Sequence, residues 1–390
     1  MDSDTFRSWV RAGLRRGSTL ALTAALGWWT PSAKGAAYTA VDLFTIAGGF
    51  SPASQAQTAA GGQVVGSGGG NAMVQATAGS AVNLAPTNLT GYTTSTANAT
   101  NGSYQVGSAS GATVTNGNQH AFLWLGSGAT AVDLNPTALD SSVANGVGGN
   151  QQVGNGSSAN FSGASHALLW GGTNVATDLN PTTLTGITSS VAIATDGVHQ
   201  VGQGWGAAGK HHALLWNGSS LSAVDLNPGG AWDQSYANGV SGNLEVGYAT
   251  TTGGIGHAMA WTGNSAAAAD LNFGSFVNSV ANGTNGVQEV GGGFTPGFVQ
   301  HALLWSGNSA SGVDLQTFLS SSIFNSSIAY SIDSNGNVFG TAIDKSGNTH
   351  AIEWTATPAP EPASFSLLLI GGVGLLRRSR RRPTSPRIFR

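Results

Sequence analysis

The sequence predicts an all-β protein, a seven-bladed β-propeller of four-stranded blades closed by a strand from near the N-terminus. The first observation behind this is a repeated line, His166-Ala167-Leu168-Leu169-Trp170. Close copies stand at 120–124, 212–216, 257–261, 301–305 and 350–354, and a degenerate one at 71–75 has lost both His and Trp. The central alanines lie 44 to 49 residues apart, and self-similarity at such a period marks a repeat architecture. The second observation is that three more patterns recur in fixed order with that line. They are an apolar-Asp-Leu segment (Val132-Asp133-Leu134-Asn135-Pro136), an Ala ten residues before a Gly (Ala144 and Gly154), and the run ending in that Gly (Gln152-Val153-Gly154). Short apolar runs bounded by Asn-Gly, Gly-Asn and Asn-Pro are strand and turn chemistry, so each repeat is four short strands. The third observation is the order itself. The chain enters on an Asp-Leu segment and leaves on a His-Ala-Trp line, so the last repeat lacks a fourth strand that residues 41–46 can supply, leaving no free edge. An open β-solenoid is the alternative, and it would not need complementary termini.

In chain order, Arg7, Arg11, Arg15 and Arg16 precede an apolar run over 20–29, then Pro31 and the small residues Ala33, Gly35, Ala36 and Ala37. That is the layout of a secretory signal peptide over 1–37, with cleavage expected near Ala37; a buried N-terminal helix is the alternative. The repeat domain occupies 38–357. Within it, Asn145-Gly146, Asn238-Gly239 and Asn282-Gly283 match the tight-turn preference of a hairpin between the second and third patterns. Alternation puts His166, Leu168 and Trp170 on one face of their strand and Ala167 and Leu169 on the other. Both faces are mainly apolar, so the strand belongs inside a stack of sheets. Residues 358–390 change character: a Pro-rich linker with Pro360, Glu361 and Pro362, an apolar stretch over 364–376, then Arg377, Arg378, Arg380, Arg381 and Arg382. The stretch is shorter than the ~20 residues of a comfortable span, and the arginines orient its end to the cytoplasm.

Charged residues are only 8% of the chain, and 59 of its 390 residues are glycine. Residues 1–37 carry five basic and two acidic groups and 358–390 seven and one, whereas 38–357 carry two lysines against fourteen acids. That balance excludes nucleic acid as a partner of the repeat domain, which lacks the basic footprint needed to displace counterions from phosphates. There is no cysteine, hence no thiolate nucleophile or thiolate metal site.

The cycle quoted by Gln119-His120-Ala121-Phe122-Leu123-Trp124 with Asp133-Leu134 resembles the HAF family of extracellular repeats over about 42–354. The first repeat departs from it at Asn71 and Gln75, and the sixth at Gln316. The tail, Pro360-Glu361-Pro362 followed by the apolar stretch and the arginine cluster, is similar to the PEP-CTERM sorting signal. The resemblance implies export by a Gram-negative bacterium, recognition by an exosortase-type membrane enzyme, removal of the tail, and release to the cell surface or an exopolysaccharide matrix. It supplies no catalytic residues.

Six histidines at equivalent positions would form a ring rather than a metal cluster, so a structural role is expected, each ring bonded to backbone or to a neighbouring blade's Asp. The repeated Asp133, Asp178, Asp225, Asp270 and Asp314 are expected to fix turns, with calcium as the alternative. No other cofactor or metal is expected. The six strand-ending tryptophans fit the inter-blade core better than sugar platforms. Site candidates are therefore residues that break the repeat: Asp140, His199, Trp205, Lys210, His211, Trp232, Asp233 and Lys345. Among these, Trp205, Trp232 and Asp233 fall in glycine-rich loops and suit a sugar, with an aromatic platform for its ring and a carboxylate for its hydroxyls. Exposed loop decoration is the plainer reading. The expected function is a non-enzymatic surface or matrix component whose partner is polysaccharide or a matrix protein. The alternative is a propeller glycoside hydrolase or polysaccharide lyase with paired carboxylates at the tunnel mouth.

Overall fold

A computed structural model describes residues 38–43, 63–76, 81–112 and 117–357, and the backbone of 55–60. The expected signal peptide and sorting segment lie outside these residues. The chain forms seven antiparallel four-stranded sheets. Blades 1 to 6 span 55–83, 94–133, 141–178, 189–225, 232–270 and 278–314, and blade 7 combines 324–356 with Tyr38–Asp42. The first strand of each blade touches the first strands of its two neighbours, and blade 7 touches blade 1, so these strands surround the axis and the ring closes. It is a seven-bladed β-propeller.

The closing strand pairs antiparallel with Thr349–Ala356 in the register Tyr38↔Ala356, Ala40↔Trp354, Asp42↔Ile352. It begins three residues before the expected start at 41. Tyr38 explains the shift: it is buried, packs edge-on to Phe318 at 5.8 Å, and anchors the strand one turn of pleat earlier than the apolar pattern suggests. Leu43 follows, buried against Val64 and Phe339.

The ten-residue Ala to Gly spacing marks directly paired residues of the first and second strands: Ala97↔Gly107, Ala144↔Gly154, Ala192↔Gly202, Ala237↔Gly247 and Ala281↔Gly291. A Cβ on any of these glycines would stand 1.8–2.0 Å from the carbonyl oxygen of the residue before the alanine. Only glycine permits that approach.

The Asn-Gly pairs are not hairpin turns. They lie inside the first strand at a β-bulge, where the register slips between Ala144 and Gly146, Ala237 and Gly239, and Ala281 and Gly283. The extra residue of the bulge turns its side chain toward the next blade. Asn145 Nδ2 donates to Ala192 O at 3.0 Å, Asn238 Nδ2 to Ala281 O at 2.9 Å, and Asn282 Nδ2 to Ala329 O at 2.8 Å. The core lies between blades. The repeat tryptophans 124, 170, 216, 261, 305 and 354 are at most 1% exposed, with leucines and alanines of adjacent blades packed around them.

Candidate functional site

In each of blades 2 to 6 the repeat histidine, first or second in the third strand, meets the aspartate of the fourth strand of the same blade. Nδ1 to Oδ2 is 2.7–2.8 Å in His120–Asp133, His166–Asp178, His212–Asp225, His257–Asp270 and His301–Asp314. The partner was expected to be backbone or a neighbouring blade's Asp; pairing across adjacent strands supplies an Asp of the same sheet instead. The second carboxylate oxygen accepts the backbone N–H two residues on, as in Asn135 N to Asp133 Oδ1 at 2.8 Å, which is the turn-fixing role expected. In blade 2, Asn135 Oδ1 then accepts Ser142 Oγ of blade 3 at 2.6 Å, and Ser142 Oγ accepts Ala121 N at 3.0 Å. The same chain recurs through Asn180 and Ser190, and through Asn272 and Ser279. Burial pushes the Asp133 carboxyl up, but bonds from His120, Tyr92 and Asn135 N outweigh it and hold it below the ordinary range. The repeat histidines and aspartates therefore hold the third and fourth strands of one blade together, and the Asn–Ser bonds that follow them tie that blade to the next. Among the described residues no three of His, Asp and Glu gather as a metal would require.

All of the remaining candidates but His199 lie on one end of the propeller, where the second strand turns into the third and the fourth strand passes to the next blade. Trp205 ends the second strand of blade 4, and His211 opens the third opposite it. Their rings stack at 4.8 Å and 28°, His211 stacks on Tyr236 of blade 5 at 5.3 Å, and Tyr236 on Tyr248 at 4.5 Å and 9°. Beside this four-ring stack Lys210 is hydrogen-bonded to Asp233 of blade 5, and His211 N donates to Gln234 Oε1 at 3.2 Å. Burial lowers the pKa of His211, whose Nδ1 has no partner, and burial with Tyr236 alongside pushes Tyr248 up to about 12. Burial thus favours the uncharged form of each titratable ring in the stack, with the half-buried Trp205 as its outer plate.

The sequence candidates divide. Trp205, Lys210, His211 and Asp233 come together at the junction of blades 4 and 5. Trp232 sits edge-on to His257 at 5.4 Å, three residues before the buried Ser235. Its counterparts, three before Ser95, Ser142, Ser190, Ser279 and Ser327, are Tyr92, Leu139, Ile187, Phe276 and Phe324. Trp232 thus occupies a repeated apolar position. His199 belongs to a turn at the opposite end, with Nδ1 3.3 Å from Asp196, and Asp140 accepts Ala159 N at 2.9 Å. Lys345 is exposed in the equivalent loop of blade 7. Tyr236 and Tyr248 were missed because they stand in strands, although no other repeat has tyrosine at either position.

No protein-family model matches the sequence, and no curated protein does. Solved structures of similar shape include a puromycin hydrolase variant, 12% identical over 75% of this chain at a TM-score of 0.45; this chain spans 50% of that protein's length. TolB from Acinetobacter baumannii is 10% identical, with 79% of this chain and 80% of TolB covered, at a TM-score of 0.41. A lectin from Burkholderia pseudomallei is 10% identical, with 76% and 96% covered, at a TM-score of 0.36. Likenesses this distant say nothing about what the chain does.

Proposed function

We propose that the chain is an exported, non-enzymatic binding protein of the cell surface or exopolysaccharide matrix. It belongs with the HAF-type extracellular repeats, is processed at its tail by an exosortase-type enzyme, and binds polysaccharide at the junction of blades 4 and 5. The observation that carries this reading is the Trp205 plate on its stack of rings, flanked by Lys210 and Asp233. An aromatic face suits the C–H face of a pyranose, and the flanking polar pair suits its hydroxyls. The carboxylates argue against hydrolysis. Six aspartates are held by histidines, Asp233 pairs with Lys210, and Asp140, Asp196, Asp333 and Asp344 accept backbone N–H groups. Glu245 and Glu289 are buried against glycine N–H groups, and Glu353, its pKa raised by burial and by Asp333, stands on the closing blade away from Trp205. A glycosidase needs two carboxyls facing one bond.

Titration of the full chain with polysaccharide fragments tests the reading. Trp205→Ala should weaken binding at least roughly tenfold, equivalent to about 1.4 kcal/mol, and Asp233→Asn by less. Unchanged affinity in both variants would remove the site. The processing part is tested by the intact mass of native surface material, expected to correspond to a chain starting near Ala37 and ending near Pro362.

A further inference from the structure

Blades 5 and 6 join their second and third strands through the same loop. In blade 5, Thr251 N bonds Ile255 O at 3.0 Å, Gly254 N bonds Thr251 O at 2.9 Å, and Ile255 N bonds Thr251 Oγ1 at 3.3 Å. In blade 6, Thr295 N bonds Val299 O at 3.0 Å, Phe298 N bonds Thr295 O at 2.8 Å, and Val299 N bonds Thr295 Oγ1 at 3.3 Å. Both loops need a left-handed residue at the fourth position. Blade 5 uses Gly254 at φ 78°, whereas blade 6 uses Phe298 at φ 60°. An L residue is disfavoured there, and a bulky one more so. Little is buried in return, because Phe298 is 79% exposed, the highest exposure of any large hydrophobic residue described. Strain kept in order to hold an aromatic ring in solvent points to a contact.

Its surroundings define the contact's chemistry. Lys210, Ile255 and Val299 all stand two residues before a repeat histidine, and Asp233 and Val277 two before the buried Ser235 and Ser279. The Lys210–Asp233 ion pair between blades 4 and 5 is thus replaced, between blades 5 and 6, by Ile255 and Val277, exposed by 49% and 38%. They flank a bond from Gly256 N to Asn278 Oδ1 of 2.8 Å that ties the two blades. From Trp205 across to Phe298 the loop end therefore presents rings and aliphatic groups, with its one lysine held by Asp233. Across 38–357 the only other cation is Lys345.

We infer that Phe298 is a second stacking contact for the polysaccharide proposed above, so that blades 4 to 6 form one path for an uncharged glycan chain. The inference rests on the binding reading at Trp205. An anionic chain would meet no free cation on this path and a domain rich in carboxylates, whereas a neutral chain needs only C–H faces against rings and scattered hydroxyl partners.

The test uses the full chain against uncharged ladders of glucose, mannose and N-acetylglucosamine oligomers, two to eight units long, and an oligouronate ladder of the same lengths. Affinity for at least one uncharged ladder should rise with length. Phe298→Ala should reduce affinity for the longest oligomers at least fivefold while leaving the shortest ones unchanged, and Trp205→Ala should weaken all lengths. Phe298→Gly should show the same binding loss while Tm rises by about 1–2 °C, because glycine relieves the left-handed strain. Wild-type affinity of Phe298→Ala for long oligomers overturns the second contact with the Trp205 reading intact. Preference for oligouronates overturns the uncharged class. Binding of none of the ladders, or insensitivity to Trp205→Ala, overturns the underlying reading itself.

Discussion

Blade 7 and blades 2 to 6 are made from the same four strands, yet one chemical contact does two different jobs in them. In blades 2 to 6 the histidine and aspartate that join third to fourth strand are 12 or 13 residues apart in the chain. In blade 7 the same pair, His350 Nδ1 and Asp42 Oδ2 at 2.8 Å, bridges 308 residues. The local pair trims a meander that the chain would trace anyway, whereas the distant pair helps to close the ring. A repeat can reuse one bond as ornament in most blades and as a clasp in the last.

The largest effect should follow from removing the clasp. Deleting residues 38–43 exposes the edge of Thr349–Ala356 and uncovers the pockets of Tyr38 and Leu43. The expected loss is on the order of 4 kcal/mol with concentration-dependent aggregation. Val41→Cys with Glu353→Cys, directly paired and without competing cysteines, should crosslink, since bridging needs Cα atoms within about 7 Å. An unchanged melting profile for the deletion would show that the ring does not depend on its closing strand.

A smaller effect separates the tryptophans. Trp354 Nε1 donates to Leu315 O at 3.1 Å, while the indole N–H groups of Trp124, Trp170, Trp216, Trp261 and Trp305 are buried without a partner. The difference arises after the Asp-Leu segment. Blade 6 continues into a short 3-10 turn, Leu315–Phe318, which brings the Leu315 carbonyl to Trp354. Trp354→Phe should therefore cost about 1 kcal/mol more than Trp216→Phe, because only the former loses a bond and the latter removes an unmet donor. Equal costs in chemical denaturation would mean that the Leu315 bond contributes nothing net.

Period, strand order and closure were legible because they depend on patterns repeated seven times. The Ala144 and Gly154 pairing was legible as a spacing, but not its cause, which is the approach of Val143 O and appears only in three dimensions. Asn145-Gly146 misled because the residues that make a tight turn also make a bulge, and only the cross-blade bond to Ala192 O distinguishes them. Trp232 looked irregular because loops of unequal length hide its register with Leu139 and Phe276. Trp205, Lys210 and Asp233 were singled out because they break the pattern. Phe298 was not, since its signal is a backbone angle that no residue type announces.

The smallest effect contrasts blades 5 and 6 with blades 3 and 4 at the start of the second strand. Gln152 and Gln200 accept Gly172 N and Gly218 N at 2.7 Å, and their amides donate to Asn150 O and Val198 O at 2.9 and 2.8 Å. Glu289 accepts Gly307 N at 2.9 Å in the same way, but its other oxygen is buried without a partner where glutamine would place a donor. Burial raises its pKa above the ordinary 4.5, and that of Glu245 likewise. A protonated Glu289 can donate like the glutamines; an ionised one cannot. Because the folded pKa lies above the unfolded one, the stabilisation is fully present below the unfolded pKa and is lost as pH rises through the folded pKa. Glu289→Gln keeps the donor at every pH. The variant should match the native protein near pH 4 and exceed it by about 1 kcal/mol at pH 7 in urea denaturation. A gap that does not widen between those two pH values would show that the carboxyl is not destabilised by its site.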